Sequence, residues 1–257
     1  DLIYLEIETL VTELLLNIHL KKPDSLIYKV LFDPRFRELN NKYFDNIPGG
    51  FSLEKEWGSY MFWALDDKLH RVRLFYKNGK LTSGRGSFTY DMNPETIANA
   101  LAQKQIFPGM LLCYLIVALY YGMKCLGGFC QVNDLTRTKE AWSNMLKELG
   151  MTEEVAALTP VQTKELGGDG MVLPYFKTKT GDFMPATGVD MAIDKENDTS
   201  FEKYIALSKK VTISDMMSPM LPEMYTVLYA IQDRDPNLLA TPEEIFKGMR
   251  LGQKLYD

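Results

Sequence analysis

Cys130 stands in the run Gly127-Gly128-Phe129-Cys130-Gln131-Val132-Asn133, just after the most apolar stretch of the chain. A thiolate here would be a nucleophile. The amides of Gln131 and Asn133 would donate hydrogen bonds to a developing oxyanion or to a ligand. Such a thiol needs a base or another means of lowering its pKa. The chain has 2 histidines, His19 and His70. His70, between Leu69 and Arg71, has the basicity of a general base near neutral pH. Asp169 lies in Leu166-Gly167-Gly168-Asp169-Gly170, and Asp190 closes Pro185-Ala186-Thr187-Gly188-Val189-Asp190. Carboxylates so placed can act as acid and base, bind an amine or hold a divalent cation. Arg85, in Thr82-Ser83-Gly84-Arg85-Gly86-Ser87, has the forked guanidinium that clamps a carboxylate or phosphate.

Each of these residues also has a plainer role. Asp and Gly are what turns require. A cysteine fills a core as a small hydrophobe. A hairpin leaves an arginine or histidine in solvent. No segment carries a P-loop, an HExxH helix, a GxSxG nucleophile elbow or a GxGxxG fingerprint. Gly84-Arg85-Gly86 lacks the third glycine and the following helix of a dinucleotide loop. The cofactor is therefore unknown. The 3 cysteines, Cys113, Cys125 and Cys130, form no CxxC pair, which argues against a disulfide framework or a zinc site, and no metal is expected.

The elements that must position these residues alternate between helical and strand-like patterns. Ile7, Leu10, Val11, Leu14, Leu15 and Ile18 have helical spacing, stopped by Pro23. A short helix follows Pro34, and Ile47-Pro48-Gly49-Gly50 breaks the chain. Residues 51–90 read as an antiparallel meander of three or four strands, with Asn78-Gly79 suited to a type I′ turn. Asn93-Pro94-Glu95 starts a helix whose apolar side holds Ile97, Leu101 and Ile106. Leu111 to Met123 carries no charge and is apolar all round, so a helix over about 109–124 must be buried on every side. Its strongly apolar part is short for a membrane span of about 20 residues. Leu126-Gly127-Gly128 is read as its stop, and the next helix covers about 136–149. A hairpin follows over about 171–191. Thr241-Pro242-Glu243-Glu244 opens the last helix with a capping box.

The fold class is α+β, mostly helical, with the meander and the hairpin packed on the buried central helix. One domain over 1–257 accommodates this, with a subdivision suggested near residue 90. The net charge of -5 opposes general nucleic-acid binding, and Arg71 and Arg73 share one side of a strand as a solvated face. No membrane span is expected, the thiols fit the cytoplasm, and a chain starting at Asp1 is compatible with a leader ahead of it. The four glycine-bearing polar loops suggest an enzyme, a transferase or hydrolase, acting on a small organic molecule whose anionic group Arg85 holds. The alternative is a non-catalytic binding or assembly protein, a homo-oligomer included, with Tyr43, Phe44, Phe51 and Trp57 as an apolar partner surface.

Overall fold

The computed structural model describes residues 5–84, 86–165, 175–177, 183–185, 201–229 and 231–256. It is a mixed α+β structure, with helices joined by small antiparallel sheets. The chain divides into two compact units, Asp1–Cys125 with Gln131–Glu165, and Leu126–Cys130 with Leu166–Asp257. Residue 90 lies inside the first.

In the first unit, α1 (Ile7–Asn17) buries Val11 and Leu15, four residues apart on one helical face. A single 3-10 turn (His19–Lys21) follows. Ser25 caps α2 (Leu26–Phe32), its hydroxyl oxygen accepting from the Tyr28 N–H at 3.2 Å. Asp33 caps α3 (Pro34–Phe44), with Pro34 in the first turn, where its missing N–H costs nothing. Phe44 and Phe51 do not belong to an exposed aromatic surface. Both are fully buried, Phe44 against the Trp142 ring at 6.3 Å and Phe51 against Tyr60 at 5.4 Å.

The strand-rich region comprises β1 (Phe51–Ser52), β2 (Trp57–Gly58), β3 (Phe62–Leu65), β4 (Arg71–Arg73), β5 (Phe75–Lys77), β6 (Lys80–Thr82) and β7 (Thr89–Asp91). Asn78 and Gly79 have φ of 50° and 79°, the two positive values a type I′ turn needs. The meander splits at Leu74 into two sheets, β4-β3-β8, whose last strand is Ile106–Pro108, and β5-β6-β7. Buried Ser59 takes the place of a strand partner there. Its hydroxyl oxygen accepts from the Leu74 N–H at 2.9 Å, and the Tyr60 N–H donates to the Leu74 carbonyl at 2.8 Å.

Asn93 Oδ1 accepts from the Thr96 N–H at 2.8 Å and caps α4 (Pro94–Ala102). Ile106 does not extend that helix. Lys104 turns the chain with φ 57°, and Ile106 enters β8 (Ile106–Pro108), opposite Ala64 of β3. Next come α5 (Met110–Cys113) and a π-helix (Tyr114–Tyr120), in which every residue from Leu111 to Leu119 is buried. The Tyr121 N–H donates to the Ile116 carbonyl at 3.0 Å, five residues back. Gly122, at φ 68°, is the left-handed glycine beyond the helix end, earlier than Gly127. No helix among the described residues is long and apolar enough to cross a membrane. Helix α6 (Phe129–Glu148) buries Trp142, Met145 and Leu146, and it starts at Phe129 rather than near residue 136. Gly150 turns the chain at φ 71° into α7 (Thr152–Leu158).

The second unit holds the antiparallel hairpin β9 (Tyr175–Lys177) and β10 (Phe183–Pro185), with Phe183 opposite Lys177. Helices α8 (Phe201–Ser208), α9 (Ile213–Met217), α10 (Leu221–Leu228), α11 (Pro242–Gly248) and α12 (Leu251–Tyr256) follow. Reciprocal capping boxes open α9 and α11, Thr212 with Asp215 and Thr241 with Glu244. Leu207, Phe246, Leu251 and Leu255 form a small core.

Candidate functional site

The residues singled out from sequence fall into three groups. Arg85, Asp169 and Asp190 lie outside the described residues. His70 lies at the end of the β3–β4 turn, with its side chain 72% exposed. Asp66 Oδ1 accepts from the backbone N–H groups of Lys68 and His70, and its Oδ2 is 3.2 Å from His70 Nδ1. Those backbone bonds, that from His70 foremost, hold the Asp66 carboxyl below its usual range. The arrangement builds a turn on the surface. Cys130, Gln131 and Asn133 stand in the first turns of α6 rather than in a loop. The glycine pair before them suggests a loop, but Gly127 and Gly128 precede the helix without interrupting it. Cys130 is exposed. Gln131 Nε2 is buried with no hydrogen-bond partner among the described residues, and Asn133 bonds the Asp134 side chain. The two histidines have other partners, Asp66 for His70 and Tyr121 for His19.

His19, the other histidine, is a residue to which the sequence assigns no place. It is 1% exposed. The 3-10 turn after α1 points it inward, where it meets the end of the π-helix. Its Nε2 lies 3.2 Å from Tyr121 Oη. Its ring packs edge-on to Tyr120 at 5.2 Å and near Tyr121 at 5.8 Å, and the two tyrosine rings are perpendicular, 5.0 Å apart. Nδ1 is buried and has no hydrogen-bond partner among the described residues. Burial, with the Lys22 charge second, pushes the His19 pKa down. Burial, with Tyr120 second, pushes the Tyr121 phenol up. Passing a proton from Tyr121 to His19 would put two charges where each is disfavoured. The pair is therefore a neutral hydrogen bond that orients a hydroxyl, and it does not generate a base.

Tyr120 and Tyr121, each 42% exposed, open onto a cleft of about 430 Å³. Leu26 of α2, Leu119 of the π-helix, Trp142 of α6, and Glu154 and Leu158 of α7 complete much of its wall. The volume falls within the range of about 300–1,000 Å³ typical of small-molecule sites. π-helical turns recur at functional sites because the wider ring displaces the side chains that follow.

A second groove, about 500 Å³, runs along α1 and is lined by Glu6, Glu8, Glu13, Arg71 and Phe107 among others. It is larger, and its three carboxylates each have a partner, whereas its Lys104 has none among the described residues. Thr9 donates to Glu6, Asn17 donates to Glu13 at 2.8 Å, and Arg71 lies 3.6 Å from Glu8 with its guanidinium over the Phe107 ring. The smaller cleft is the better candidate because its polar groups still have bonding capacity. Among the described residues no group of three or more His, Cys, Asp or Glu is placed to hold a metal ion. Comparison with protein-family models, with curated proteins and with solved structures finds no match.

Proposed function

We propose that the first unit binds a small organic molecule in the cleft at the end of the π-helix, with the Tyr121 hydroxyl as its orienting polar contact. One observation carries this reading: a buried imidazole hydrogen-bonds Tyr121, a residue in the wall of an aromatic cleft of ligand size. Rigid aromatic walls with few fixed polar groups are how small-molecule sites combine affinity with orientation. A transferase or hydrolase would need a nucleophile or base at the cleft. His70 does not line it, and Cys130 belongs to the second unit. Ligand binding is thus the core of the proposal. The anionic class expected from Arg85 concerns a residue outside the described ones. That Cys113, Cys125 and Cys130 are all outside disulfides supports a reducing compartment, the cytoplasm.

The test is a panel of small aromatic and alicyclic molecules, screened by ligand-observed NMR against the full chain and against Ala157→Phe. Ala157 is an exposed residue of α7 on the cleft wall, so a larger side chain there fills the cleft without disturbing the core. Hits that vanish in Ala157→Phe support the cleft. Hits that bind both proteins equally, or no hit at all, reject it.

A second reading, an assembly protein, is favoured by one feature of the second unit. Leu221, Ile231, Leu238 and Leu239 are each more than half exposed there. Scattered apolar residues are ordinary on surfaces, but a cluster on one small unit marks an interaction face. Sedimentation of the full chain over a hundredfold concentration range, roughly the span needed to shift a weak dimer, tests it. A mass that rises with concentration and falls back in Leu238→Glu supports it, and a constant monomer mass rejects it.

A further inference from the structure

We infer that the molecule taken by the cleft is an organic cation, an amine or quaternary ammonium group; the inference rests on the cleft being a binding site, as proposed above. Among the described residues of the lining, Glu154 is the one that is charged, with no lysine or arginine beside it. It forms no ion pair and no side-chain hydrogen bond within the described residues. It stands in the first turn of α7, where the positive end of the helix favours a carboxylate even without a cationic neighbour. The Lys139 ammonium donates to the carbonyls of Thr159 at 2.9 Å and Val161 at 2.7 Å.

The rest of the wall is aromatic and apolar. The two half-exposed tyrosine rings meet at 85°, so a ligand in the angle between them touches the π-density of at least one. Such a corner attracts a cation through the quadrupole of an aromatic face. An anion there would face a carboxylate and two negative ring faces. A neutral molecule would fill the same space and leave the Glu154 charge unanswered. Aromatic rings with a single carboxylate and no basic residue form an environment selective for positive charge. The Tyr121 hydroxyl, turned by His19, adds one hydrogen bond for a polar substituent beside the ammonium.

The test compares two probes of equal shape, choline and its uncharged analogue 3,3-dimethylbutan-1-ol, titrated into the full chain by ligand-observed NMR. Choline is expected to bind about tenfold or more tightly than the alcohol. In Glu154→Gln the preference should shrink to about threefold or less. In Tyr120→Leu, which stays apolar but loses the ring, choline should weaken while the alcohol is unchanged. Urea unfolding of each variant confirms that it is folded. Equal binding of the two probes, with no effect of Glu154→Gln, overturns the cation inference while leaving the cleft intact. Failure of both probes, together with a panel that gives no hit sensitive to Ala157→Phe, overturns the cleft reading and this inference with it.

Discussion

Acidifying the protein from about pH 7.5 to about pH 5.5 should protonate His19 more readily in the unfolded chain than in the folded one. Unfolding releases the ring to its ordinary value of 6.5, while burial holds the folded value lower. The unfolded state then binds more protons, so this contribution to stability is complete above 6.5 and is lost as the pH falls below it. If the folded ring stays neutral throughout, the two conditions differ by about 1.4 kcal/mol. The structure supplies the reasons for neutrality: the ring is 1% exposed, Lys22 adds a like charge, and the facing groups are two phenols rather than a carboxylate. Trp57, Trp63 and Trp142 all lie in the first unit, so tryptophan fluorescence in urea follows that unit alone. The wild-type midpoint should drop by about 0.5–1.4 M across the interval. His19→Gln keeps a hydrogen-bonding side chain that cannot titrate, and at about pH 7.5 it should be less stable by about 1–3 kcal/mol. Its midpoint should lack the acid-dependent drop. His70 is present in both proteins and cancels. Parallel midpoints in the two proteins would refute the argument that His19 is buried as a neutral ring.

Three further predictions concern other parts of the fold. Gly49→Ala should cost about 1–2 kcal/mol for its left-handed backbone, and more again for the new methyl, which would sit 3.0 Å from Asp134 Cβ. Gly79→Ala has the same strain with nothing within 4 Å, so the difference between the two urea midpoints isolates the Asp134 contact. Asn40→Ala should destabilise the first unit by about 2–4 kcal/mol, because Asn40 Nδ2 donates to the Val30 carbonyl at 3.0 Å and to Tyr60 Oη at 3.1 Å in the core; Tyr60→Phe, which removes one of these bonds, should cost less. In the second unit, the Lys254 ammonium 2.7 Å from Asp215, then the Thr212 N–H, hold the Asp215 carboxyl low. The stability this supplies is present above the ordinary 3.8 and is lost as the pH falls through the depressed value, so hydrogen-exchange protection factors in α12, corrected for the intrinsic rate at each pH, should fall on acidification in the wild type and lose that acid sensitivity in Asp215→Asn.

Local chemistry was legible where it is self-contained. Asn93 and Thr241 announce their helices because a cap is a contact within four residues. Asn78-Gly79 announces its turn because the backbone angles are intrinsic to those residues. The buried stretch from Leu111 was legible because a segment without charge has nowhere else to go. What stayed hidden depends on distant partners. Ile106 fits a helical face by spacing, and only pairing with β3, some forty residues earlier, makes it a strand. The split at Leu74 requires Ser59. Phe44 and Phe51 read as surface aromatics until Trp142 and Tyr60 cover them. His19 lies between Ile18 and Leu20, just ahead of Lys21 and Lys22, and its partners Tyr120 and Tyr121 stand about a hundred positions away. Glu154 looks like any first-turn carboxylate until the residues around it are known to be apolar.

The π-helix makes this region sensitive to chain length more than to composition. Its rings close over five residues instead of four, so Tyr114–Tyr120 stores slightly more chain than an α-helix with the same number of turns. Exchanging Leu115, Ile116 or Val117 for another aliphatic residue changes the packing but not the register. Deleting one residue lets the segment relax to the α ladder and rotates everything after it, so that the position facing His19 is taken by a different side chain. Among descendants of this sequence, the number of residues between Pro108 and Gly122 should therefore persist while the aliphatic residues inside drift. An alignment gap there would mark a chain that has given up the His19–Tyr121 pair.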